Sequence, residues 1–198
     1  MSGEFVFPIE IVHPADKKHY ARRKAMEEYY LLKHNLCRRF APKVIAEIGV
    51  RAGYSAYSFL RAVETAKYYG FDANNNKHGG QGQSKHDWWS WAKNTLSSYN
   101  CTFVECDTQT LSTLKDCVTG VDFFHIDGDH SEKGVYHDLN LAAEVLNPNG
   151  VMLVDDITYI PEVKRGADSW LSDHSEYSVE FVKSLRGEYL ISLEVNNA

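Results

Sequence analysis

Residues 44–57 read VIAEIGVRAGYSAY. Val44, Ile45, Ile48 and Val50 form an apolar run that suits a buried strand. Glu47 interrupts the run, Gly49 and Gly53 follow, and the chain after them can begin a helix. Two glycines placed this way suit a strand-to-helix turn where backbone passes close to a ligand. Such a turn marks the ligand end of an open α/β sheet, and it comes early in this chain. The spacing is G-x-x-x-G, not the G-x-G-x-x-G of a dinucleotide site, and no Gly-Lys-Ser/Thr follows as in a P-loop. A ligand at this turn is therefore not expected to be held by its phosphates. The plain alternative is a tight turn with no ligand.

Working outward, further strands are expected at Lys67–Asp72, Cys101–Cys106, Val121–Ile126 and Val151–Val154, with the first over Lys43–Val50. Helical spacing falls between them, at Ser55–Thr65, Trp88–Ser98, Leu111–Val118 and Gly134–Leu146. Asn147-Pro148-Asn149-Gly150 reads as a turn. Ahead of the sheet, Pro14–Arg39 reads as a helix with Pro14 or Ala15 in its first turn. Tyr20, Met26, Tyr30, Leu31 and Leu36 would form its apolar face and the basic residues its wet one. After Pro161 a helix precedes two strand-like runs, Tyr177–Val182 and Tyr189–Val195, that read as a hairpin. Strands alternating with helices predict an α/β, doubly wound, mostly parallel sheet of seven strands, the last two antiparallel. The expected organisation is one domain over residues 1–198, with an N-terminal helical extension over 1–40. Residues 74–87, NNNKHGGQGQSKHD, carry no core pattern, and 74–91 reads as a mobile loop or lid.

Composition narrows the class. A chain of 198 residues can build one proper core, and its net charge of −6 does not resemble a basic nucleic-acid surface. Cys37, Cys101, Cys106 and Cys117 show no CxxC pair and read as reduced thiols of a cytoplasmic protein. The first residues lack the basic and apolar regions of a signal peptide, and no apolar run approaches the roughly 20 residues that span a bilayer.

The ends of the expected strands are acidic. Asp72 ends the second strand about twenty residues past the turn, where an acid can accept both hydroxyls of a ribose. Asp107-Thr108-Gln109 ends the third, with polar groups able to read an adenine edge. Asp127-Gly128-Asp129-His130 ends the fourth and Asp155-Asp156 the fifth. Helix capping accounts for Asp72 or Asp107 singly. Four carboxylates at neighbouring strand ends repel one another unless protonated or bound to a cation. Oxygen-only ligands favour a hard ion, most often Mg²⁺.

The stretch EIGVRAGYSA resembles the first motif of class I methyltransferases that use S-adenosylmethionine, and more narrowly that of catechol O-methyltransferase and related metal-dependent enzymes. FFHIDGDHSEKGVYHDL followed by VMLVDDI is similar to the metal-binding part of macrocin-type sugar O-methyltransferases and cephalosporin-hydroxylase-like proteins. The resemblance runs from Val44 to about Ile157. It implies that Glu47 braces the turn, that Gly49 lets the methionyl part of the cofactor approach, that Ser55 contacts its carboxylate, and that Arg51 and Gly53 belong to the same cofactor-binding turn. It further implies that Asp72, Asp107, Thr108 and Asp127 lie against the cofactor, and that Asp127, Asp155 and Asp156 hold Mg²⁺ or another hard divalent cation. Asp129 falls at the position of the general base, with His130 the second choice. There are departures: no lysine follows Asp127 until Lys133, and Glu132 replaces an aromatic residue.

The resulting expectation is a metal-dependent O-methyltransferase acting on a small-molecule hydroxyl, of a sugar or a phenol. The alternatives are a metal-dependent glycosyltransferase, which leaves Glu47–Gly53 unexplained, and a non-catalytic cofactor-binding homologue. The expected partner is a small acceptor, with neither nucleic acid nor membrane, and self-association stays open. Trp88, Trp89 and Trp91 read as helix packing, His78 and His86 as solvated, His125 as a satisfied core histidine and Asp138 as structural. Arg51 either meets a cofactor carboxylate or covers the loop.

Overall fold

The computed structural model describes residues 5–18, 23–75, 78 and 86–194. Seven strands form one sheet in the order β3-β2-β1-β4-β5-β7-β6. They are β1 Val44–Ile48, β2 Lys67–Asp72, β3 Cys101–Glu105, β4 Val121–Ile126, β5 Leu146–Val154, β6 Tyr177–Val182 and β7 Glu188–Leu193. The first five run parallel, and β7 is antiparallel to both β5 and β6. The helices are α1 Arg23–Phe40, α2 Tyr54–Ala62, α3 Trp88–Thr95, α4 Glu132–Val145 and α5 Pro161–Asp173. The doubly wound sheet with its C-terminal hairpin is the architecture expected from the sequence.

Strand residues alternate between two helical layers, as the period of two requires. Ala46, Ile48, Phe124, Ile126, Met152 and Val154 face α4 and α5, where Leu139, Val163 and Trp170 fill the space. Ile45, Phe123, Leu153 and Leu190 face the other side, against Leu36 of α1, Phe59 of α2 and Leu96, just past the end of α3. The sheet is covered on both faces, which is what a parallel sheet needs.

Four expectations need correction. The first helix is described from Arg23, and residues 14–18 form turns, because Asp16 N–H donates to His13 O and the Asp16 carboxylate is drawn to Arg51. Tyr20, assigned to that helix face, lies outside the described residues. Leu111–Val118 forms no helix: a 3-10 turn covers Thr108–Thr110, and tight turns then bury Leu114 and Val118. Asn147–Gly150 sits within β5 as an irregularity in its pairing with β4, where the Asn147 amide donates to Gly120 O and Asp122. Lys33, assigned to a wet face, is fully buried. The expected lid, 74–91, lies partly outside the described residues. The four cysteines are free, and among the described residues no helix is long and apolar enough to cross a membrane.

Candidate functional site

A cleft of about 1220 Å³ opens at the carboxyl ends of β1, β2, β4 and β5, lined by the glycine turn and by Asp72, Thr108, Asp127, Asp129, His130 and Asp156. The turn is shaped by backbone contacts. Gly49 has φ 91°, and a Cβ there would overlap the carbonyl of Asp127. Its glycine is thus demanded by the approach of the β4 loop as much as by a ligand. Gly53, at φ 76°, caps α2 without a side chain.

Beneath the turn Glu47 is fully buried and accepts hydrogen bonds from Ser55 Oγ, Tyr68 Oη and, at 2.7 Å, His125 Nδ1. Lys33 Nζ lies 2.9 Å from His125 Nε2. An ammonium can only donate, so Nε2 accepts and Nδ1 carries the ring proton. Ser55 directs its single proton at Glu47, and what it offers the cleft is lone pairs. Those suit an ammonium group better than the carboxylate the resemblance assigns to it.

Asp72 Oδ2 accepts from Arg51 N–H at 2.8 Å and Oδ1 from Asn74 N–H at 2.7 Å. Burial raises its pKa against these two bonds. The Arg51 side chain does not face the ligand alone: it forms a two-point pair with Asp16 at 2.8 and 2.9 Å and lies 4.1 Å over the Trp88 ring. Asp107 caps the Thr108–Thr110 turn, and Thr108 Oγ1 donates to Asp138 Oδ1 at 2.9 Å. Asp138 is fully buried with Oδ2 unpartnered among the described residues. Burial raises its pKa to about 7, opposed by the Thr108 hydrogen bond. His78, expected in solvent, stands 2.9 Å from Asp107 Oδ1 and 3.2 Å from Asp129 Oδ2. Its pKa is raised because these carboxylates outweigh the effect of burial.

Asp129 is not the cap of α4. Ser131 takes that role, accepting from Gly134 N–H at 3.0 Å, while Asp129 Oδ1 accepts from Ser131 N–H at 2.8 Å. A Cβ at Gly134 would overlap the Asp129 carboxyl, so the first turn of α4 holds that side chain in place.

The three carboxylates assigned to a metal do not form one tight group. Asp127, His130 and Asp156 offer donor atoms within 4.8 Å of one another, as do His125, Asp127 and Asp155. Asp155 points to the α1 face, where Tyr29 Oη and Lys33 Nζ, the latter at 3.2 Å, both contact Oδ2. Lys33 also lies 3.0 Å from Glu188. Burial opposes the Lys33 charge, but Asp155 and Glu188 raise its pKa. Arg186 Nη1 lies 3.0 and 3.3 Å from the two oxygens of Asp156. Burial and repulsion from Asp127 and Asp155 push Asp156 up to about 7, against Arg186 and His130. For Asp127 burial is outweighed by the hydrogen bond and charge of His130, 3.3 Å away, and the carboxyl is held down at about 2. Burial lowers the His130 pKa, yet Asp127 and Asp156 raise it to about 8.

Sequence reasoning located Asp72, Asp107, Asp127, Asp129, Asp155 and Asp156 but missed Lys33 and Arg186, the cations that pair with Asp155 and Asp156, and Asp16 and Glu188, the acids that pair with Arg51 and Lys33. Lys33 had a signal. Glu47 pairs in register with His125, His125 with Leu153, and Leu153 with Leu190. Alternation then puts Glu47, His125, Asp155 and Glu188 on one buried sheet face, a charge that demands a cation from the covering helix.

Residues 46–157, just over half of the chain, match a family described as a methyltransferase domain. No curated protein matches. Among solved structures, the chain is similar to the SAM complex of the O-methyltransferase TomG of Streptomyces achromogenes, at TM-score 0.68 and 16% identity, covering 96% of this chain and 92% of that one. It is also similar to a putative caffeoyl-CoA O-methyltransferase of Staphylococcus aureus, at TM-score 0.68, 16% identity and 90% coverage of both chains. A third is the SAH-bound methyltransferase PaMTH1 of Podospora anserina, at TM-score 0.65 and 15% identity, covering 97% of this chain and 91% of that one. At these identities the likeness establishes the fold.

Proposed function

This chain belongs to the methyltransferase-domain family, and from that premise we propose that it transfers the methyl group of S-adenosylmethionine to a hydroxyl of a small molecule. The observation that carries this reading is one cleft with two chemically different ends. The glycine turn with Glu47, Ser55 and Asp72 forms one end, and Asp127, Asp129, His130 and Asp156 the other. The family membership accounts for the turn, which a glycosyltransferase leaves unexplained.

Asp72 would hold the ribose and Ser55, braced by Glu47, the methionyl amino group. Asp107 and Thr108 would stand by the base. The donor chemistry at the other end fits a divalent cation: Asp127 and Asp156 would supply oxygens for Mg²⁺, and His130 would add a nitrogen that broadens the set to ions such as Mn²⁺. Bound there, such an ion would act as a Lewis acid that lowers the pKa of an acceptor hydroxyl. Asp129, fixed by Ser131 and α4, would take the hydroxyl proton, and His130 is the second candidate. Tyr29, Tyr159, Ile160 and Leu185 line the cleft near Asp156, an aromatic and apolar wall that suits the ring of a phenol or a sugar.

Calorimetry with S-adenosylhomocysteine tests the reading directly. Binding is expected in the wild type, and Asp72→Ala should weaken it by roughly 1–3 kcal/mol through lost charged hydrogen bonds. A screen of phenols and sugars, run with chelator and again with Mg²⁺ or Mn²⁺, then tests transfer. Absence of S-adenosylhomocysteine binding would sink the proposal, and full turnover in excess chelator would remove the metal from it.

A further inference from the structure

The carboxylates at the acceptor end are already answered by protein cations, and two of these differ sharply in how firmly they are placed. Lys33 has no exposure, and its ammonium faces Asp155, Glu188 and His125 together. It cannot leave without stranding two buried acids. Arg186 is the opposite case. Its side chain is 35% exposed, while that of Asp156 is 1% exposed. Both Asp156 oxygens are reached by the single atom Nη1, so the pair is not the two-point fork a committed Arg–carboxylate bridge makes. The guanidinium lies 5.8 Å from the centre of the Tyr29 ring and 5.3 Å from that of Tyr159, an aromatic lining along which it can move while staying solvated.

The backbone beneath Arg186 is fixed independently of its side chain. Thr158 N–H donates to Arg186 O at 2.8 Å, and Ile157 N–H to Gly187 O at 3.0 Å. The turn between β6 and β7 is thus tied to the end of β5 whatever residue stands at 186.

We propose that Arg186 is the resident counter-ion of Asp156, which a divalent cation must displace, so that this residue keeps cation binding weak and exchangeable. The proposal rests on the metal reading above. Its physical basis is charge: a dication shared by Asp127 and Asp156 is repelled by a guanidinium whose Nη1 already faces both oxygens of Asp156. Moving the arginine away into the cleft relieves that repulsion, at a cost to cation affinity. Asp155, whose Oδ2 is occupied by Tyr29 and Lys33, offers the ion no equivalent that is free of a protein cation.

The test is Mn²⁺ binding to the full-length protein, free of added metal, measured by calorimetry and by the paramagnetic signal of free Mn²⁺. Arg186→Gln should bind Mn²⁺ about tenfold or more tightly than wild type, and Arg186→Lys, which keeps the charge, should stay close to wild type. S-adenosylhomocysteine affinity and melting temperature show whether each variant keeps its fold. A wild type that binds Mn²⁺ while Arg186→Gln binds it equally or less tightly would overturn the proposal and leave the metal reading standing. In that event Arg186 would be a group that orients Asp156 for the ion. If neither protein binds Mn²⁺ while both bind S-adenosylhomocysteine, the metal reading falls and the proposal with it.

Discussion

Asp129 differs from Asp155 and Asp156 in what surrounds it. Asp155 and Asp156 have strong protein cations, and Asp127 has His130. Asp129 has a backbone N–H from Ser131 and the imidazole of His78. A carboxylate held in place, facing the cleft and lacking a lysine or arginine partner among the described residues is a suitable proton acceptor. Asp129→Asn should therefore lower kcat by about 10²–10⁴-fold, with S-adenosylhomocysteine affinity nearly unchanged. Because Ser131 rather than Asp129 caps α4, the Asn variant should also keep its melting temperature. A variant that melts early and retains its per-molecule rate would instead make Asp129 a loop-ordering residue.

At the scale of elements, α1 is bound to the sheet by more than apolar packing. Leu36 and Cys37 join the core on that face, and Lys33 reaches between β4, β5 and β7. A lysine buried this way stabilises the helix position only because Asp155 and Glu188 are buried with it. Removing one partner leaves the others uncompensated. Lys33→Met should cost about 3–5 kcal/mol in denaturant unfolding, and adding Glu188→Gln should recover part of that loss. Two independent, additive effects would show that the contact is incidental. The apolar and helical periodicity of α1 was legible in the sequence. The burial of one of its lysines was not, because a single helix face does not reveal which charges lie opposite it on the sheet.

At the scale of the molecule, Asp138 of α4 is bonded to the loop after β3 through Thr108 and Gln109 and packs against Gly128 in the loop after β4 that carries the candidate base. Its pKa rises from 3.8 to about 7 on folding, so the folded protein favours the protonated acid. That stabilisation is complete below about pH 4 and is lost as the pH rises through 7. Asp138→Asn, neutral at every pH, should match wild type near pH 4 and exceed its stability at pH 8 by up to roughly 4 kcal/mol. Melting curves that stay parallel from pH 4 to 8 would show that Asp138 does not titrate in this range. Local pattern was enough to determine the sheet, because strand period, glycine placement and strand-end acids are properties of neighbouring residues, and Val44–Tyr57 with Val121–His130 carried most of it. The same locality explains the errors at Leu111–Val118 and Asn147–Gly150, where packing of Leu114 and pairing with β4 overrode turn and helix preferences. The ion pairs belong to the tertiary structure alone. Lys33, Arg186, Asp16 and Glu188 lie about 30 to 155 residues from the groups they pair with, and nothing in local chemistry ranks one distant charge over another until the sheet register and the covering helices set which charges share a buried face.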